Sequence, residues 1–151
     1  KPELVESASR KAFRSLPNLG KAIKELTVLS AVGPATASAI LAAGAPQHAP
    51  FMADESMLPI PGLALKYTPA EYAQYCIEIS ACVKRLNSKD PSSQWTPHKA
   101  ELCLWTHHMA RKLQPDLLEE IEAGEKRKAS PEGGDQGGGT AKRSKTSSRA
   151  K

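Results

Sequence analysis

The sequence predicts an all-α fold: a compact helical domain over residues 1–125 and a disordered basic tail over residues 126–151. Apolar residues recur at spacings of three and four along the first part, the mark of helices with one buried face. No stretch of weight alternates with period two or runs in β-branched residues as a strand would. From Lys126 onward glycine, serine, threonine and lysine take over, with too little apolar area to offset chain entropy. At 151 residues and 40% hydrophobic, the chain can bury one core, and little argues for a second domain.

The first predicted helix covers residues 3–15, with Leu4, Ala8, Ala12, Phe13 and Leu16 at helical spacing. Arg10 and Arg14 lie four apart on one face, which is either solvated or turned toward phosphate. Leu16-Pro17-Asn18 breaks the pattern, and Asn18 suits the cap of a second helix through Leu26. Val32-Gly33-Pro34 then reads as a tight turn. Gly33 has the backbone freedom for a sharp reversal, and Pro34 fits a first helical position, where its missing N–H is no loss.

A third helix follows over residues 34–43. It is nearly all small, from Ala35, Thr36, Ala37 and Ser38 to Ala42 and Ala43, with Ile40 and Leu41 the large apolar residues. Such a surface admits another backbone closely, either a packed helix or DNA. Residues 44–50 form a Pro-bounded loop containing His48, a solvated residue. Phe51-Met52-Ala53 is an apolar approach able to bury beneath a cleft and fix Asp54. The bland alternative for Asp54 is the N-cap of a short helix over residues 55–58.

Residues 69–87 read as the longest core helix, through Tyr72, Tyr75, Cys76, Ile79, Val83 and Leu86. Thr68, Pro69 and Glu71 give it a capping-box start. Tyr72 and Tyr75 read as core edge, with base stacking the alternative. Residues 87–96 form a polar loop in which Trp95 is the exposed aromatic. Thr96-Pro97 opens a helix to Leu113 carrying Leu102, Leu104, Trp105, Met109 and Leu113, with Trp105 in the core. His107 and His108 point to different faces and do not share a metal, and no metal site is expected. Pro115-Asp116 begins an acidic helix to Glu125, where acidic residues in the first turn suit the helix dipole.

The stretch from Leu26 to Asp54 carries a family resemblance. Leu26, Val28 and Leu29 lead into Ala31-Val32-Gly33-Pro34-Ala35-Thr36-Ala37, then an apolar helix, then a loop ending in an acid. This resembles a helix-hairpin-helix, and with Asp54 it is similar to the helix-hairpin-helix DNA glycosylase superfamily. Members read roughly L-x-x-L-x-G-h-G-x-x-[TK]-A, followed by an apolar helix and an essential aspartate. Counted from Ala31, Asp54 is the 24th residue, an interval like that of the alkyl-adenine branch. Phe51-Met52-Ala53-Asp54-Glu55 parallels that branch's apolar-apolar-x-Asp-acid run.

The resemblance implies a nuclear DNA-repair protein bound to double-stranded DNA. The hairpin residues Val32, Gly33, Pro34, Ala35 and Thr36 would hold the backbone, with Arg10, Arg14, Lys21 and Lys24 supplying positive charge. Asp54 would be the one catalytic residue of N-glycosidic bond hydrolysis. No cofactor is implied beyond a monovalent cation that the hairpin admits. Three departures qualify the match. Ala31 replaces the first glycine of the turn. Ala35 stands where bifunctional members carry a Schiff-base lysine, so a monofunctional hydrolase is expected. Glu55-Ser56-Met57-Leu58-Pro59 replaces the signature that often follows the aspartate. A non-catalytic helix-hairpin-helix DNA-binding module and an all-helical protein-interaction module are the alternatives.

The net charge of +5 is unevenly placed. Residues 126–151 hold eight Lys and Arg against Glu132 and Asp135, whereas residues 1–125 hold 13 against 14 acids. A broadly basic footprint is therefore not expected of the helical part. Lys1, Arg10, Lys11, Arg14, Lys21 and Lys24 against Glu3 and Glu6 nevertheless make the approach to the hairpin basic. In the tail, Lys126, Arg127 and Lys128, then Lys142, Arg143 and Lys145, resemble addresses for an import receptor and place the protein in the nucleus. They would also bind DNA through counterion release, or merely solubilise the chain.

No apolar run approaches the roughly 18 residues of a membrane span. Cys76, Cys82 and Cys103 are odd in number, lack metal spacing and read as buried helix residues in a reducing compartment. They cannot build the four-cysteine iron–sulfur loop of some superfamily members. The chain opens on Lys1 rather than Met, so a longer N-terminal side carrying the other half of a cleft is expected.

Overall fold

A computed structural model describes residues 1–121, and no strand occurs among them. The helices are α1 (Pro2–Arg14), α2 (Leu19–Leu26), α3 (Pro34–Gly44), α4 (Asp54–Met57), α5 (Pro69–Lys89) and α6 (Pro97–Leu113). One 3-10 turn, Pro91–Ser93, joins the last two, and residues 116–121 are helical again. The expected disordered tail, and the end of the acidic helix at Glu125, lie outside the described residues.

Sequence signals set most of the helix starts. Proline opens α1, α3, α5 and α6. Asn18 accepts the Lys21 N–H at 3.0 Å, Thr68 that of Glu71 at 3.2 Å and Thr96 that of Lys99 at 3.2 Å. Each cap satisfies one donor that the helix itself leaves open. The expected capping box at α5 is only half made. The Glu71 carboxylate accepts from the N–H groups of Ala64 and Lys66 instead, tying the preceding loop to the helix.

The helix α1 packs along α2, α2 rests on α3 and α5, and α6 covers α4 and α5. Ile23, Leu26, Leu41, Met52, Met57, Tyr72, Tyr75 and Ile79 fill the centre. The small residues of α3 serve this packing: Ala37, Ser38 and Ala42 are buried, while Thr36 and Ala43 face out. A side chain at Gly44 would run into the Phe13 ring, so α1 and α3 approach closely there.

Several expectations need correction. Tyr72 and Tyr75 lie inside the core, which removes them as base-stacking residues. Leu4 is 52% exposed. On α6 the inward residues are Ala100, Glu101 and Leu104, while Leu102, Trp105 and Leu113 face solvent. Apolar residues ring that helix, so its spacing selects no face. Trp105 is thus outside, and Trp95 is half-buried, with its backbone N–H and C=O both held by the Asn87 side chain. Cys76 and Cys82 are half-buried and Cys103 is exposed. Burial pushes the Cys76 thiol up to about 12, the behaviour of a packed residue and not a nucleophile. No helix among the described residues is long and apolar enough to cross a membrane.

Candidate nucleic-acid interface

The hairpin is built as two overlapping turns between α2 and α3. The Leu29 N–H donates to Leu26 C=O at 3.1 Å, and Val32 N–H to Leu29 C=O at 3.1 Å. The left-handed residue of the reversal is Ala31, at φ 64°. Gly33, expected to hold the special angles, is extended at φ −84° and ψ 177° and sits at the N-cap of α3. Its freedom is therefore spatial: a Cβ added there meets no atom of the described residues beyond its chain neighbours within 4 Å.

The first helical bond of α3 runs from Ala37 N–H to Gly33 C=O at 2.9 Å, and no side chain caps this helix. The amides of Ala35 and Thr36 precede that bond, at the positive end of the helix dipole. Val32 and Ala35 pack against the core, while Gly33 and Thr36 are exposed. Lys21, Lys24 and Arg14 are exposed on the neighbouring helices. Arg10 is exposed too, but it donates to Glu6 on its own helix. An exposed pair one helical turn apart is worth little, so it offers weak resistance to exchange for a phosphate.

Asp54 begins α4, whose N-cap is Ala53, and its side chain makes no capping bond. That overturns the capping alternative. The carboxylate instead accepts a 2.5 Å hydrogen bond from the Tyr67 hydroxyl. Tyr67 is 40% exposed and has a left-handed backbone at φ 51°. A tyrosine held in that region stores strain, a feature that collects at working sites. Its hydroxyl is raised above the ordinary tyrosine value, first by that bond to Asp54 and then by burial.

Hydrogen bonds from three helices reach the segment around Asp54, those from α3 and α5 buried. The Ser38 hydroxyl of α3 accepts the Met52 N–H at 3.0 Å and donates to Ala35 C=O at 2.7 Å. From α5, the Tyr72 hydroxyl donates to Pro50 C=O at 3.1 Å, and the Tyr75 hydroxyl lies 2.8 Å from Ser56 Oγ. From α6, the His98 N–H donates to Pro46 C=O at 3.3 Å. His98 Nδ1 also lies 2.7 Å from Glu101 Oε2. Ser38 therefore joins the first turn of the hairpin's second helix directly to Met52. Two residues of chain reach at most roughly 7 Å, which keeps Asp54 near that junction.

Of the residues expected from sequence, Arg14, Lys21, Lys24 and Thr36 are exposed on α1, α2 and α3, helices that pack in succession. Asp54 is joined to α3 through Ser38. The clusters Lys126, Arg127, Lys128 and Lys142, Arg143, Lys145 lie outside the described residues. Tyr67 carried no signal in the sequence, since it stands thirteen positions on in an irregular loop. Glu101 had a faint one: His98 and Glu101 are spaced to meet on a helix, but nothing in the pattern buries them. No group of three or more His, Cys, Asp or Glu among the described residues is placed to hold a metal. Comparison with protein-family models, with curated proteins and with solved structures gives no match.

Proposed function

We propose that the chain is a DNA-binding helix-hairpin-helix protein that hydrolyses the N-glycosidic bond of a damaged base, with Asp54 as the catalytic residue. One observation carries the reading. Helices α3 and α5 hold residues 50–56 by buried hydrogen bonds, yet Asp54 within that segment is left half-exposed. Rigid support beneath an accessible charged group is what a catalytic carboxylate requires.

The hairpin amides at Ala35 and Thr36, with Lys21, Lys24 and Arg14, would fix the phosphates beside the lesion. The base is turned out of the stack before reaction. The bond from the sugar C1′ to the base nitrogen then breaks, leaving positive charge on the sugar. The Asp54 carboxylate stabilises that charge and orients a water. Water oxygen bonds to C1′, and its proton leaves for the departing base. Tyr67, donating to Asp54, keeps the carboxylate aimed. Ala35 offers no amine for a Schiff base, so the product is an intact abasic site. A monovalent cation at the hairpin, as the resemblance implies, would add to the phosphate grip. Nuclear entry through an import receptor that reads Lys126–Lys128 or Lys142–Lys145 belongs to the same proposal.

The test is release of abasic sites from alkylated and deaminated duplexes. The wild-type chain should release them, and Asp54→Asn should be slower by about 100-fold or more. Equal rates, or none from either protein, would remove the enzyme and leave a non-catalytic DNA-binding module.

A further inference from the structure

Where α6 packs on the end of α4, a cavity of about 220 Å³ is walled by Leu58, Pro59, Leu104, His107, His108 and Arg111. Among the described residues no carboxylate borders it. The ion pairs among the described residues are Arg10 with Glu6 and His98 with Glu101, which leaves the Arg111 guanidinium without an acidic partner there. Arg111 lies in the last turn of α6, where a cation suits the negative end of the helix dipole. That accounts for one cation, but not for two histidines on the same cavity. Its position adds to its charge. The Leu58 N–H donates to Asp54 C=O at 2.8 Å, which sets Leu58 one helical turn beyond Asp54 on the same helix face. Leu58 is 57% exposed. The cavity thus begins about 6 Å of helix rise from the carboxylate proposed to act on DNA.

The donors on this wall select the occupant. A guanidinium carries five N–H groups, and an imidazole carries at least one in either protonation state. An apolar segment laid over them would strip water from the guanidinium without supplying an acceptor. A phosphate diester supplies one. Its free oxygens take a forked pair of bonds from arginine and single bonds from imidazoles, and Leu58, Pro59 and Leu104 offer an apolar bed for the adjoining sugar. We propose that this cavity holds a backbone phosphate of the DNA strand bound at Asp54, a second grip besides the hairpin amides. The proposal rests on the DNA-binding reading above and adds α6 to the surface that reading assigns.

The experiment measures duplex-DNA affinity of the whole 151-residue chain across a salt series. Wild type is compared with Arg111→Gln, with Arg111→Lys, and with His107→Gln and His108→Gln together. Arg111→Gln should weaken binding about fivefold and lower the slope of log affinity against log salt by about 0.9, the loss of one phosphate contact. Arg111→Lys keeps the charge and should keep the slope, and the histidine pair should weaken binding about threefold. Arg111 is exposed, so its variants report even if the change at the half-buried His108 disturbs the fold. Unchanged affinity and slope in Arg111→Gln overturn the proposal; if Gly33→Leu weakens the same duplex, the hairpin reading stands without it. No duplex binding by wild type removes both. A second arm titrates inorganic phosphate against the ring resonances of His107 and His108, with His48 as the internal control. Phosphate shifts at those rings, together with unchanged duplex affinity in Arg111→Gln, would give the cavity to a free anion and overturn the DNA assignment.

Discussion

Ala31 and Gly33 divide between them the work expected of one glycine. Ala31 holds the left-handed backbone at φ 64°, a region that costs an alanine roughly 1–2 kcal/mol. Ala31→Gly should therefore raise stability by about 1 kcal/mol, read as a shift of the denaturation midpoint at unchanged slope. Asp54 was legible because its interval from the turn and the apolar run before it are linear features of the sequence. Tyr67 was not, because a partner supplied by an irregular loop leaves no periodicity. Tyr67→Phe should leave the fold intact and slow base release, since the carboxylate loses its donor while nothing buried is disturbed. Full activity in that variant would make the contact incidental.

At the scale of elements, the helices were readable to within two residues, from proline starts, capping side chains and apolar spacing. What the spacing did not tell was which side of α6 packs, because Ala100 and Leu104 compete with Leu102, Trp105 and Leu113 around one helix. The link between α3 and the Asp54 segment was also invisible, for it is one serine among small residues. Ser38→Ala strips the Met52 N–H of its acceptor inside the core. It should cost about 1–3 kcal/mol and speed amide exchange at Met52; protection equal to wild type would contradict the link.

The α6 contact makes a pH prediction. Burial raises the Glu101 carboxyl above its ordinary value of 4.5, against the opposing pull of His98 and the Phe51 N–H. A raised folded value means that the protonated form fits the fold better. The stability it contributes is complete below about pH 4.5 and is lost as pH rises through the raised value. Glu101→Gln should flatten that decline in denaturation profiles taken across the acidic range. A slope identical to wild type would deny that the carboxyl is held in low dielectric.

For the whole molecule, the helical class and the order of elements follow from composition and punctuation, while the placement of charge needed the fold. Residues 1–125 carry slightly more acid than base, and what the fold adds is a local arrangement. Lys21 and Lys24 are exposed on α2, α3 starts without a side-chain cap, and a Cβ added at its N-cap Gly33 has free space among the described residues. The account rests on that space being used by a nucleic-acid backbone. The most direct measurement is duplex-DNA affinity of Gly33→Leu against wild type, in the whole chain and in one ending at residue 125. Its thermal stability serves as control. Loss of about tenfold in affinity, with stability within about 1 kcal/mol, is predicted. Unchanged affinity, or no salt-dependent binding by the shorter wild-type chain, would contradict it.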